Sequence, residues 1–514
     1  MLSWPGTLRR TAALRWGQLC LDSGGMASSD AIVVGSGPNG LAAAVILARA
    51  GLRVELAEGA LSLGGGLRSH TVFDSDVVHD HCSGVHPMAA ASLFFREFDL
   101  AARGVELLQP EIAYGHPLDG GRAGFAHRSL ERTCEELGAD GRRYRALLRP
   151  LVGHSQTIVD TLLSDQRRLP ADLRGPLALP LRIMAQGTGF SRHLFRGDIA
   201  PAMLAGLAGH GIGRLPSLPT AAIILLLAHL AHVTGWPIVR GGSQRIANAL
   251  ADDFLAHGGI LHTGMPVTDL RELSRFRAVL LDVGPRNLLD IAGPLLPDAY
   301  RRGLERYRYG PGTAKVDFLV SEPIPWANPG LRQAGTVHVC GDQAELYASE
   351  NATMRGDRPG NPYVLLSEPM VADDTRGLPG KRPVWAYCHV PNGDPMDPAD
   401  AIRRQIERFA PGFSDTVLAH RTTTAPQQAE HNPNYVGGDI AAGALTLSQI
   451  LARPVLRWNP YRTPLKGVYL CSAATPPGPS VHGMCGYYAA KSVLRNEFGI
   501  TRLPSLAPDE KGLE

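Results

Sequence analysis

Apolar residues in this chain gather into short runs, and several of the runs stop at a glycine or a proline. The first, Ile32 to Val34, is continuous and predicts a strand buried on both faces. Gly35, Gly37 and Gly40 follow directly, and LAAAVILARA after them predicts a helix rich in alanine and leucine. Gly51 suits the end of that helix, and RVELAE predicts a second strand that stops on Glu58. From Ser129 to Val233 the pattern is helical, punctuated by Pro170, Pro176, Pro180, Pro201, Pro216 and Pro219. Its most apolar part, Ala221 to Leu227 and on to Ala231, reads as a buried helix; a tunnel lining and a membrane-surface contact are the other readings. TAKVDFLVSEPIPW alternates apolar and polar positions, which predicts a strand carrying Lys315 and a Pro/Trp bend after it. Near the end, Val468 to Cys471 predicts a strand, followed by a Gly/Pro turn and a helix opening near Val481. No run reaches the roughly 18–20 apolar residues that a membrane-spanning helix needs.

Strand, glycine turn, helix, strand and terminal acid stand in the order that dinucleotide binding requires, with the acid about 20 residues past the first glycine. Gly35 permits a tight turn, Gly37 admits a pyrophosphate close to the backbone, and Gly40 lets helix and strand pack closely. Ser36, Pro38 and Asn39 complete the turn, and a pyrophosphate belongs at the positive end of the helix that begins there. Glu58 is expected to accept hydrogen bonds from ribose hydroxyls and to repel a 2′-phosphate, which disfavours NADP. A second glycine loop, Gly64 to Gly66, leads to Arg68. It favours FAD over NAD, because the longer cofactor needs support along its pyrophosphate and flavin end, so Gly65, Gly66 and Arg68 are expected beside it. The helix opening near Val481 offers a second amino terminus to the flavin ring, where reduction leaves negative charge.

Together, VVGSGPNGLAAAVILARAG, VELAE and GGGLRS with YLCSAATPPGPSVHGMCGYYAA resemble the FAD-dependent phytoene desaturase and amine oxidase superfamily. Within it they are most similar to the bacterial phytoene-dehydrogenase-like flavoproteins and the pyridine nucleotide-disulfide oxidoreductase domain 2 proteins. VHDHCSGVHPMAAASLFFR, WPIVRGGSQRIANAL, YGPGTAKVDFLV, WAYCHVP and IERFAPGF are similar to the same group, so the resemblance runs from about Asp30 to Phe498. It implies an α/β protein with a discontinuous Rossmann-type FAD-binding domain at 27–107, 237–283 and 456–498. An α+β substrate domain with a mixed or antiparallel sheet would take 108–236, a mostly helical insert, and 284–455, which is strand-rich; 499–514 would be a tail. In PIVRGGSQRIANALADDFLAHGGILHTGMPVTDL it implies a strand, glycine loop, helix and strand, with Val267 near the adenine.

The same resemblance implies that Ala473, His482, Gly483 and Met484 approach the flavin through the backbone, with His482 facing substrate as a second reading. It implies that Lys315 holds a water against the flavin and assists proton movement; the plain alternative is a surface strand lysine. His79, Asp80, His81, Cys82 and His86 invite a metal reading, but the resemblance implies packing beside the flavin, so no metal is expected. Tyr387, His389 and Tyr487 are candidate cavity walls.

A formal charge of +3 over 514 residues, with no dense Lys/Arg block, leaves no footprint for nucleic-acid binding. Seven scattered cysteines without a C-x-x-C suit a reducing compartment and exclude the dithiol of a disulfide reductase. GHGIG, Gly209 to Gly213, has the wrong spacing for a second nucleotide motif, so electrons are expected to leave to oxygen or a quinone-like acceptor. Residues 1–26 carry Arg9, Arg10 and Arg15 before the first acid, Asp22. They read as an extension upstream of a start at Met26, or as a targeting peptide that would send a eukaryotic protein to the mitochondrial matrix. Otherwise a cytoplasmic protein is expected, with peripheral membrane association open. The expected activity is hydride removal from a C–H bond of a mainly apolar substrate, a carotenoid or another lipophilic molecule. Amine or amino-acid oxidation, polyene isomerisation, and a flavoprotein kept for binding or assembly are the alternatives.

Overall fold

The computed structural model describes residues 29–73, 76–165 and 174–509; the extension at 1–26, with its two readings, lies outside the described residues. The chain opens with β1 (Ala31–Val34), α1 (Pro38–Arg49) and β2 (Val54–Ala57). It crosses to a second sheet for β3 (Ile112–Leu118) and β4 (Arg122–His127), then runs through helices that include α2 (Ile199–Gly209) and α3 (Leu218–Val233). It returns through α4 (Gln244–Ala256), β5 (Ile260–His262) and β6 (Ala278–Leu281). A strand-rich stretch adds β7 (Gly312–Val320), β8 (Ala334–Val339), β9 (Val364–Ser367), β10 (Arg382–Val390) and β11 (Val417–Thr423). Last come β12 (Val468–Leu470) and α5 (Met484–Phe498).

Five strands form a parallel sheet in the order β12-β6-β1-β2-β5. β1, β2 and β6 are buried at every position, which is why β1 and β6 run apolar without alternation, while β2 buries Glu55 against Arg275. α1 covers one face of this sheet, flanked by α4 and α5. Its alanines permit close approach, and α5 answers with Gly486, where a Cβ would lie 1.9 Å from the Asn39 carbonyl oxygen. The last helix begins at Met484 rather than near Val481. Pro477 and Pro479 precede it, and Ser480 (φ 124°) and Gly483 (φ 70°) hold left-handed backbone that a helix cannot include.

The second sheet has seven strands in the order β11-β7-β10-β9-β8-β3-β4. All neighbours are antiparallel except β8 and β3, so the sheet is mixed. β3 and β4 come from the stretch expected to be mostly helical. Every residue of β3 is buried, so IAYGHPL shows none of the alternation that would have marked it.

Elsewhere the two-residue period sorts the side chains cleanly. Val316, Phe318, Val337, Val339, Val364, Leu366, Val384 and Ala386 pack with Ile402, Ile406 and Phe409 into one apolar core. The alternate positions, including Thr336, His338, Leu365, Trp385 and Tyr387, turn to the opposite face. There α3, apolar all round its circumference, packs into a second core with Tyr114, Trp236, Leu365 and Trp385. Among the described residues no helix is long and apolar enough to cross a membrane.

The α1–α5 contact is backbone against backbone, so it has no side chain that can yield. Gly486→Ala should therefore destabilise the protein by about 2 kcal/mol or more. A thermal melt of the variant that matched the parent would show that the two helices can separate without cost.

Candidate functional site

The carboxyl ends of β1 and β6 meet at the glycine turn. Gly35 adopts φ 99°, a conformation that L side chains rarely take, and its N–H donates to the Ala57 carbonyl at 2.8 Å. Asp282, the residue after β6, sits beneath the turn. A Cβ at Gly37 would come within 2.6 Å of Asp282 Oδ2, and one at Gly40 would come within 2.9 Å. The Gly40 N–H donates to the same oxygen at 3.1 Å. Pro38 opens α1 with no N–H of its own and no acid in the first turn, and its N-cap residue, Gly37, has no side chain, so Asp282 from outside the helix takes the Gly40 N–H. Asn39 is buried, and its Oδ1 has no partner in the protein.

The second loop hangs on the first. Gly64 N–H donates to the Ser36 carbonyl at 3.1 Å, and Gly65, at φ 54°, leaves room for Gly37, whose Cα would be 3.1 Å from an added Cβ. Glu58 Oε2 accepts from the Ser36 N–H at 2.9 Å and from the Ser36 hydroxyl at 2.5 Å. Its Oε1 accepts from the Ala60 N–H at 2.8 Å and from Arg68 Nη2 at 3.3 Å. Glu58 and Arg68 thus brace the two loops together.

These residues form one end of a cavity of about 970 Å³. Gly35, Ser36, Gly37, Pro38, Asn39, Glu58, Gly65, Gly66, Arg68, Val267 and Ala473 all line it. The cavity continues past Cys82 and Tyr435 to a chamber walled by Ile223, Leu226, Leu227, Trp236, Leu365, Trp385 and Tyr387. Gly40 packs beneath the turn rather than in the wall. Among the described residues, three of the four non-glycine residues with left-handed backbone, Ile212 (φ 44°), Ala442 (φ 51°) and Ser480 (φ 124°), line this one cavity. Such conformations cost about 1–3 kcal/mol each and gather at functional sites.

Other expected site residues lie outside the wall. It reaches Ser480 and Val481 and stops short of His482, Gly483 and Met484. Both ring nitrogens of His482 are engaged: Nε2 donates to the Gly478 carbonyl at 3.1 Å, and Nδ1 accepts from the Met484 N–H at 3.0 Å. Burial holds this imidazole neutral, pulled down to about 4, so it braces the loop and has no nitrogen left for substrate. Lys315 is buried, and its ammonium donates to Asp317 Oδ1 at 2.5 Å and to the Asp80 carbonyl at 2.9 Å. Burial pushes Asp317 up, but Lys315 and His79 together hold it well below the usual carboxylate range. Lys315 is therefore neither a surface lysine nor part of the cavity wall.

The residues of the metal reading diverge. His79 meets Asp317 at 3.2 Å, Asp80 pairs with buried Arg376 at 2.8 Å, His81 meets Gln428 at 3.1 Å and His86 meets Ser243 at 2.8 Å. Among the described residues no three His, Cys, Asp or Glu gather as metal ligands. Tyr387 is on the wall, whereas His389 lies behind it with Glu350 Oε2 at 2.7 Å, and Tyr487 belongs to the core around α1.

A parallel sheet with a braced double glycine loop, opening into a chamber under a mixed sheet, is the FAD-binding oxidoreductase fold of the amine oxidases. Putrescine oxidase with bound putrescine superposes with a TM-score of 0.58 at 16% identity, covering 91% of this chain and 99% of that one. In sequence, the chain is similar to pyridine nucleotide-disulfide oxidoreductase domain-containing protein 2 of Rattus norvegicus, 25% identical over 91% of this chain and 93% of that protein. It is also similar to a component of the limonene dehydrogenase of Castellaniella defragrans, 22% identical over 91% and 94% of the two chains. The Thi4 family model matches residues 20–85, which include the glycine turn. The superfamily resemblance drawn from the motifs therefore holds along nearly the whole chain.

Asp282 is the member of the site that motif reading misses. Burial, with the nearby Glu58 charge adding to it, raises its carboxyl to about 7 despite the Gly40 and Gly37 N–H groups. A carboxyl whose folded value exceeds its unfolded one stabilises the fold below the unfolded value, and that stability is lost as pH rises through about 7. Asp282→Asn keeps an acceptor for Gly40 and cannot ionise. It should melt higher than the parent at pH 8, by a margin on the order of 1 kcal/mol, and the gain should shrink by pH 5. A gain of equal size at both pH values would mean that Asp282 is ionised throughout.

Proposed function

We propose that the protein is an FAD-dependent oxidoreductase that takes a hydride from a C–H bond of a mainly apolar substrate, as dehydrogenases and desaturases do. The observation that carries this reading is the continuity of one cavity from the glycine loops to an apolar chamber. FAD fits the first end. Gly35, Gly37, Gly65 and Gly66 put bare backbone along the cavity wall, no acid stands in the first turn of α1, and Asn39 Oδ1 is unpaired beside it. The Gly35–Gly40 turn with Gly65 and Gly66 would hold the pyrophosphate, Glu58 and Arg68 the ribose side, and Val267 the adenine. Bound flavin supplies a two-electron acceptor for the hydride.

The chain's own residues bind, orient and keep water out. Ile223, Leu226, Leu227 and Leu365 offer a lipophile an apolar wall, and the Trp236, Trp385 and Tyr387 rings restrict how it can turn. Every charged residue in the wall comes from the glycine loops, the end of β6 and the helix after it, or the short helix Ala425–His431, which supplies Glu430; the second sheet and α3 contribute none. That distribution favours an uncharged substrate. Limonene dehydrogenase acts, by its name, on a hydrocarbon, which supports the same reading. Likeness to putrescine oxidase supports amine oxidation as the second reading, but an ammonium group would find no carboxylate on the sheet side of the chamber. Oxygen or a quinone-like molecule is the proposed electron acceptor, and a peripheral membrane contact is the proposed route for a lipophile.

Purified protein should show an oxidised flavin spectrum that bleaches anaerobically with a lipophilic alkene or alcohol and not with NADH or NADPH. Gly37→Val should lower bound FAD at least tenfold, because its side chain would collide with Asp282 and push the turn out of its place on the cavity wall. Bleaching by amines alone would replace the proposal with amine oxidation, and failure to bind FAD would remove it.

A further inference from the structure

We propose that the protein docks on the surface of an anionic lipid bilayer through two exposed apolar stretches, 177–190 and 447–458, that flank the chamber. This rests on the reading that the chamber takes a lipophile, and it names the residues that make the peripheral contact. Eight of the fifteen large apolar side chains exposed among the described residues lie in these two short stretches. Single apolar side chains on a surface need no explanation, but such a concentration marks a contact. In the first stretch, the helix Arg174–Gln186 exposes Leu177, Leu181 and Met184, which its period sets in one stripe, and exposed Phe190 follows its end. Leu179 and Ile183 pack into the core shared with α3, so the stripe faces away from the protein. In the second, the short helix Leu447–Leu451 exposes its first and last residues. Leu456 and Trp458 come after it, the indole 84% exposed.

Both stretches stand close to the chamber. The helix Arg174–Gln186 ends against the start of α3, where a Cβ at Gly187 would lie 2.9 Å from the Leu218 Cα. α3 then carries Ile223, Leu226 and Leu227 along the chamber wall. On the other side, residues 440–442 line the same cavity. A Cβ at Gly211 would come within 3.3 Å of both Ile223 Cδ1 and Leu445 Cδ2. A chamber residue and a residue two places before exposed Leu447 thus meet at one glycine.

The charge around the stretches identifies the partner. Residues 173–197, 199–251 and 440–496 contain no aspartate or glutamate. Within them Arg192, Arg196, Arg214 and Arg457 are exposed. Asp198, the acid between the first two segments, pairs with Arg122. The helix Asp298–Glu305 packs beside the second stretch, its Gly303 against Val455, and its Asp298 and Glu305 both meet Arg301. Apolar side chains set among arginines match the boundary between acyl chains and anionic headgroups. A second copy of the chain is a poorer match, because a two-fold contact would set the same arginines against one another. No helix among the described residues can cross a membrane, so the contact is peripheral. A lipophile drawn from that surface would meet Leu445 and Ile223 on its way to the chamber.

Flotation of the full-length protein with lipid vesicles tests this. Vesicles of roughly equal parts phosphatidylglycerol and phosphatidylcholine should carry about tenfold more protein than phosphatidylcholine alone, and about 0.5 M salt should remove most of that difference. Leu177→Ser with Leu181→Ser, and Leu451→Ser with Trp458→Ser, should each cut flotation about fivefold. All four side chains are exposed, so thermal melts of the variants should match the parent. A measurement on the parent needs no destabilising change: brominated lipid should quench its tryptophan emission, and should quench Trp458→Phe less. No flotation on the anionic vesicles would overturn the proposal, as would flotation that survives both pairs of substitutions. Light scattering that finds a dimer, split by the same substitutions, would give the stretches to a second copy instead. Flavin absorbance of the floated fractions separates this proposal from the reading it rests on. Protein that holds FAD and stays down overturns the docking alone, whereas protein that floats without flavin counts against the FAD assignment.

Discussion

One carboxyl group, that of Asp282, fills the hollow beneath the Gly35–Gly40 turn, and the meeting of β1 and β6 depends on it. Gly37 and Gly40 cannot carry side chains while the carboxyl is there, and an added Cβ at Gly35 would come within 3.1 Å of the Asp282 Cβ and carbonyl. The glycines are ordinarily accounted for by the approach of a pyrophosphate. Here they are also the lid over a buried acid, so turn, acid and strand pair form one packed unit. α5 then closes on the same helix from outside, where Gly486 meets Asn39, and the cavity end is held from two directions.

The second sheet divides its labour by alternation. Successive positions along β8, β9 and β10 go in turn to an apolar core and to the chamber, and a shift of one residue would exchange them. The antiparallel pairing of β10 with β7 also places Asp317 opposite Trp385 and Lys315 opposite Tyr387. The ion pair of Lys315 and Asp317 therefore continues the rows that face the chamber, one strand beyond its wall. Two charges are buried there because they neutralise each other and because the Asp80 carbonyl accepts a further hydrogen bond from the ammonium.

What the sequence made legible is what is local. The first strand, turn, helix and strand are contiguous and each has its own signal: an apolar run, three glycines, an alanine-rich helix and a closing acid. The FAD-binding oxidoreductase fold follows from them and from the final segment. The parallel pairing of β8 with β3 joins residues more than two hundred apart, and no local pattern announces it. β3 hides because it is buried at every position. Asp282 had a signal that motif reading passes over, an acid directly after the fully apolar AVLL. The Lys315–Asp317 pair had one too, since residues two apart on a strand share a face. The chamber wall that Thr336, Leu365 and Trp385 share had none, because it exists only across three strands.

The parallel sheet also bears on how the chain is made. β12, its edge strand beside β6, and α5, which covers α1, leave the ribosome after every strand of the second sheet. Until then the nascent chain carries an open β6 edge and one uncovered side of α1, rich in apolar residues, while the second sheet is already complete. Long-range pairing of this kind is slow, and exposed strand edges are prone to associate with other chains. Between synthesis of residue 281 and residue 498 this edge and this helix face are thus open to contact with other chains.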